Sequence, residues 1–172
     1  METVEFRIYE DFEQKLADRF LSFMANLKAP CMVVLDIESC GGYVEVLRQM
    51  ESAISQKKTE GYLFVTNVET YAYSCALFLF LLGDLRFCSD NARFMYHSSG
   101  FAIKDERLNS TDLTDMLEVL QKDDEFTNRV VAENTTISPE MLEILKKNDN
   151  FLTKSDLIFL GFMEKEYEFN IN

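Results

Sequence analysis

Two short, nearly unbroken apolar runs set the tightest limit on the fold. Cys31 to Ile37 and Gly61 to Val68 are each about one strand long and bounded by turn residues, so each reads as a strand buried on both faces. Between them Val46, Leu47, Met50 and Ile54 recur at helical spacing. A strand, an amphipathic helix and a second buried strand imply parallel pairing through a helical crossover.

The rest of the chain extends this pattern. Val4, Phe6 and Ile8 alternate with Glu5 and Arg7, which predicts a first strand. Asp11 is placed to cap a helix running to about Asn26, with Leu16, Phe20, Phe23, Met24 and Leu27 on one side and Pro30 beyond its end. Tyr71 to Leu82 is apolar almost all round, as in a buried helix. Arg86 to Ser89 and Arg93 to His97 read as short strands. Ser98 to Asn109 reads as a loop, with a strand at Phe101 to Ile103 as an option. A long helix is expected from Ser110 or Thr111 to Glu133, where Asp123-Asp124 interrupts a stripe containing Leu113, Met116, Leu117, Leu120 and Phe126. Ser138-Pro139 opens a short helix, Asn148 to Asn150 forms a turn, and Thr153 to Asp156 matches a capping box for a helix ended by Gly161. The tail from Lys165 to Asn172 reads as a last strand or a frayed end. The expectation is an α/β fold with mostly parallel strands, in one domain spanning 1–172.

Composition removes several classes of function. A net charge of -13 argues against a nucleic-acid partner and against an anionic membrane surface. The longest apolar run, Cys75 to Leu82, is eight residues, against the roughly 20 that span a bilayer. The start, Met1-Glu2-Thr3-Val4-Glu5, lacks the pattern of a secretion signal. Cys31, Cys40, Cys75 and Cys88 are scattered, which suits reduced thiols in a cytoplasm. One histidine and no cysteine pair leave no expected metal site.

Three places could carry chemistry. Gly41-Gly42 follows a buried strand and precedes a helix, where α/β sheets bind ligands; it is equally a plain tight turn. Ser74 lies near the start of the apolar helix, where the dipole and the Cys75 N–H favour an oxyanion; serine is also a common helix cap. His97 is the one side chain, thiols apart, whose ordinary pKa suits proton transfer near neutrality; it is equally a hydrogen-bonded strand-end residue. Among thirty acidic residues, spacing alone picks no partner for the imidazole.

Taken in order, these segments resemble the proteolytic subunit of the ATP-dependent Clp protease (ClpP), a serine peptidase family with a crotonase-like fold. Ser39-Cys40-Gly41-Gly42 resembles the family's Ser-Pro-Gly-Gly turn, and Ala72-Tyr73-Ser74-Cys75-Ala76 its Ala-x-Ser-Met-Gly segment. Arg86-Phe87-Cys88, Asn91 and Arg93 to His97 resemble the segment carrying the family's histidine. Asp149-Asn150-Phe151-Leu152-Thr153 resembles its Asp-Arg-Phe-Leu-Ser stretch, and Gly161 falls on a family glycine. The likeness runs from about Val4 to Glu164.

The resemblance implies stacked, mostly parallel strands, flanking helices and a protruding handle, its region at about 98–133. It implies a serine endopeptidase with Ser74 as nucleophile, His97 as general base and then acid, and Asp149 as orienting acid. Backbone N–H groups of Gly42 and Cys75 would form the oxyanion hole. A peptide substrate would lie extended between Tyr43-Val44 and Ser98-Ser99. No metal or organic cofactor is implied. The implied partners are further copies of the chain in a seven-membered ring, two of which stack into a double-ring tetradecamer, an unfolded protein or peptide substrate, and an AAA+ unfoldase. The implied setting is the cytoplasm of a bacterium, with the gene bacterial or phage-borne.

The chain also departs from the pattern. Cys40 replaces the turn proline, Thr70 a glycine, and Ser98-Ser99 the usual Gln-Pro, while Asn148 stands where many members have an arginine that bonds across the ring interface. The chain starts at the first core strand, so it reads as an N-terminally short, diverged member. The changes at Cys40, Thr70, Ser98 and Ser99, near the expected site, support an alternative, a weak or inactive ClpP-like structural subunit of a mixed or regulatory ring, whereas Asn148 bears on ring stacking. An acyl-CoA enzyme on the same fold is a further alternative, which the ordered serine, histidine and aspartate speak against.

Overall fold

The computed structural model describes residues 2–101 and 107–164. The optional strand at Phe101 to Ile103 and the tail at 165–172 lie wholly or largely outside them. Four parallel strands form the first sheet: β1 (Thr3–Ile8), β2 (Met32–Ile37), β3 (Leu63–Val68) and β5 (Leu85–Cys88), in the order β1-β2-β3-β5. Helix α1 (Gln14–Asn26) connects β1 to β2, and α2 (Val44–Thr59) connects β2 to β3, as the crossover argument requires. Leu16, Phe20 and Met24 of α1, with Leu47, Met50 and Ile54 of α2, are buried.

Burial along β2 alternates, so its second face is only partly covered. Asp36 lies on that face, accepting hydrogen bonds from the Tyr9 hydroxyl and from Asn67 Nδ2. For β2 the expectation of burial on both faces therefore fails, whereas in β3 the successive residues Phe64, Val65 and Thr66 are all buried: an apolar run does not distinguish a fully from a partly covered strand.

A second, smaller sheet runs β4-β6-β7, from β4 (Tyr71–Tyr73), β6 (Arg93–Tyr96) and β7 (Asn150–Thr153). β4 and β6 are parallel, whereas β6 and β7 are antiparallel. The expected helix from Tyr71 splits here: Tyr71–Tyr73 is strand, and α3 (Cys75–Leu81) begins two residues later. All seven α3 residues are buried, which suits a helix apolar on every side. The expected turn at Asn148 to Asn150 also yields at its end, since Asn150 already pairs with Tyr96.

Helix α4 (Ser110–Asn134) is the long element read from the leucine spacing. Asn109 caps it in a reciprocal box with Asp112. Its first half leaves Leu113 and Leu117 more than half exposed, while Phe126, Val130 and Val131 join the core. Ser138 caps α5 (Pro139–Leu145), and Thr153 with Asp156 forms the expected box at α6 (Lys154–Phe159). Asp11 is not the cap of α1: Glu13 holds that position, without a side-chain bond. Among the described residues no helix is long and apolar enough to cross a membrane.

Candidate active site

The site is built where the two sheets meet. Ser74 joins β4 to α3 at φ 54° and ψ -124°, the one positive φ outside glycine among the described residues. Such a conformation costs about 1–3 kcal/mol and persists only where neighbours enforce it. Here the Ser74 N–H donates to the Met95 carbonyl at 2.9 Å, and the Ser74 carbonyl accepts from Leu77 N–H at 2.9 Å. The hydroxyl makes no capping bond, so the plain helix-cap reading of Ser74 does not hold. It faces the imidazole instead, with Ser74 Oγ 2.7 Å from His97 Nε2.

His97 follows the last residue of β6. Because β6 pairs with both β4 and β7, that strand end lies beside Ser74 and also beside the start of β7. Tyr96 is opposite Asn150, so in an antiparallel register the next residue, His97, faces Asp149. The His97 Nδ1 to Asp149 Oδ1 separation is 4.0 Å, beyond hydrogen-bond range, and the Asp149 side chain is 73% exposed. The serine–histidine contact is closed, and the histidine–aspartate contact is open.

The glycine turn packs against the serine from below. A Cβ at Gly41 would meet the Tyr73 carbonyl oxygen at 2.7 Å, Ser74 Cβ at 2.8 Å and Cys75 N at 2.9 Å. Only a residue without a side chain allows that approach. Phe12 clamps the other side: its N–H donates to the Gly41 carbonyl at 2.7 Å, and its carbonyl accepts from Tyr43 N–H at 2.9 Å. The Cys75 thiol adds a bond to the Gly42 carbonyl at 3.2 Å. None of these bonds uses the Gly42 N–H. The Cys75 N–H, at the first residue of α3, has no acceptor within the helix. Burial pushes the Cys75 thiol up to about 12, so it is a neutral donor rather than a thiolate.

Ser74, His97, Gly42 and Cys75 line one cavity of about 370 Å³ with Tyr43, Val44, Phe78, Leu120 and Ser99. Tyr43 is 70% exposed, while Ser98 and Ser99 are half-buried. Larger depressions of about 550 and 910 Å³ lie elsewhere and contain no histidine. Seven of the nine sequence-derived residues thus share one cavity wall. Asp149 and Ser98 do not line it, and the Ser98 hydroxyl donates to the Lys146 carbonyl at 3.2 Å. Sequence reasoning missed Phe12, which acts through its backbone, and Asp124, whose carboxylate accepts the Ser99 N–H at 2.8 Å.

A hydroxyl bonded to an imidazole, beside the backbone N–H groups of Gly42 and Cys75 in a partly closed cavity, is an arrangement able to attack a carbonyl and hold the resulting oxyanion. A model of the Clp protease family matches residues 2–168. A comparison with curated proteins found no match. Among solved structures, a mutant of ClpP1 from Listeria monocytogenes is similar over 92% of this chain and 88% of that one, with a TM-score of 0.78. At 20% identity that likeness speaks to the fold, which is the ClpP fold. Since the family model spans all but the ends of the sequence, the chain belongs to the Clp protease family.

Proposed function

We propose that the chain is a serine endopeptidase subunit working inside a ring assembly of its own copies. The observation that carries this reading is the 2.7 Å contact between Ser74 Oγ and His97 Nε2 on a strained strand–helix turn. His97 takes the hydroxyl proton as Ser74 attacks the scissile carbonyl, and Gly42 and Cys75 N–H groups stabilise the oxyanion. His97 then returns the proton to the leaving amine, and water releases the acyl group by the reverse sequence. Asp149 steadies the imidazolium once the gap to Nδ1 closes, a closure that suits a resting site. The chemistry calls on side chains and backbone alone.

Proteins of this family form oligomeric rings. In this chain the exposed Leu113, Leu117 and Val119 on α4 support a handle that meets other copies, with two rings stacking. Unfolded protein is the substrate this reading implies, an AAA+ unfoldase its partner, and a bacterial cytoplasm its setting.

A second reading is a ClpP-like subunit without turnover. The 4.0 Å gap and the exposure of Asp149 favour it. Hydrolysis of a fluorogenic peptide across size-separated fractions decides between the two. The peptidase reading expects activity that travels with the assembled particle. A particle that forms but never cleaves, under any buffer that keeps it assembled, leaves the structural subunit.

A further inference from the structure

Asp123-Asp124 breaks the apolar stripe of α4, and its two carboxylates face different partners. Asp123 pairs with Arg48 at 3.0 Å. Asp124 forms no ion pair among the described residues, is half-buried, and directs Oδ1 at the Ser99 N–H, 2.8 Å away. Ser99 belongs to the segment after β6, which has no strand or helix of its own at residues 97–101. That segment forms one side of the cavity through His97, Ser99, Gly100 and Phe101. Among the described residues it is held by side-chain bonds rather than by a ladder. Ser98 Oγ supplies one, to the Lys146 carbonyl, and His97 supplies another, to Ser74. The Asp124 bond is the one with a charged acceptor on a long helix, and so the strongest tether of its kind here.

We propose that Asp124 is a positioning residue for the peptide substrate. It occupies the Ser99 N–H and fixes this segment against α4, so that a bound peptide pairs with the backbone of Gly100, which lines the cavity, rather than with Ser99. Where the family carries a proline after the glutamine, no N–H exists to be satisfied. Here serine restores the N–H, and Asp124 takes it up. The proposal rests on the peptidase reading for its substrate, but not for the tether itself.

Three variants of the full chain test it: the parent, Asp124→Ala and Asp124→Asn. Losing a charged acceptor costs on the order of tenfold or more in an equilibrium that depends on it. Asp124→Ala should raise KM for a fluorogenic peptide by about tenfold while kcat falls much less. Labelling of Ser74 by a small fluorophosphonate, which needs no extended pairing, should stay within about twofold. Asp124→Asn keeps an acceptor oxygen without the charge and should recover part of the loss. Thermal unfolding of each variant shows that the fold is kept. Hydrogen exchange at the Ser99 amide reads the tether directly, and should accelerate in Asp124→Ala. If the parent cleaves nothing, the peptidase reading fails, yet amide exchange still decides the tether. Unchanged Ser99 exchange in Asp124→Ala overturns the proposal, as does a peptide KM equal to that of an active parent.

Discussion

Ser74→Ala is expected to lower peptide turnover by on the order of 10^4-fold or more, because the nucleophile, the proton path and the acyl intermediate vanish together. The fold should barely notice. Ser74 Oγ makes no cap, and its backbone bonds to Met95 and Leu77 do not involve the side chain. Alanine inherits the same strained turn, so the midpoint of thermal unfolding should stay within a few degrees. Steady-state hydrolysis and calorimetry on one preparation check both halves. A large loss of stability would mean that the hydroxyl serves structure.

Gly41→Ala should act in the opposite way, on stability and activity together. Its φ of +90° disfavours any side chain, and the added Cβ would lie within 3.0 Å of Tyr73, Ser74 and Cys75 atoms. Strain of about 1–2 kcal/mol and overpacking of about 1–3 kcal/mol point the same way. The expected loss is roughly 2–5 kcal/mol, enough to threaten a fold of ordinary stability. Gly61→Ala is the internal control. Gly61 has the same φ of +90°, but its nearest neighbour to a new Cβ is Pro30 at 3.8 Å. It should cost only the strain, about 1–2 kcal/mol, and leave hydrolysis intact. Urea unfolding of both variants separates close approach from backbone conformation. Equal losses at the two positions would show that the Gly41 contact contributes nothing.

Much of this was legible in the sequence, for identifiable reasons. The β1-α1-β2-α2-β3 alternation follows from periodicity, since a buried parallel strand and an amphipathic crossover helix leave distinct patterns. Caps at Ser138 and Thr153 were legible because capping is local chemistry. The break at Ser74 was not, because Tyr71 to Leu82 is one apolar stretch and only the backbone turn divides it. The expectation that Asp149 partners His97 came from the family resemblance. Composition offered too many acids, and what brings Asp149 to within 4.0 Å of His97 is the Tyr96–Asn150 register, a tertiary property. Asp124 was invisible for a related reason: an aspartate on a long helix reads as a solvated face until the packing of residues 98–101 is known.

The peptidase reading requires His97 to activate Ser74 within the assembled protein. A fluorophosphonate probe followed by peptide mapping tests it most directly, because the reagent traps only an activated hydroxyl and needs no knowledge of the natural substrate. A single adduct on Ser74 is expected, lost when His97 is replaced by alanine. Assembled protein that remains unlabelled at Ser74, under conditions where a reference serine peptidase reacts fully, would contradict it.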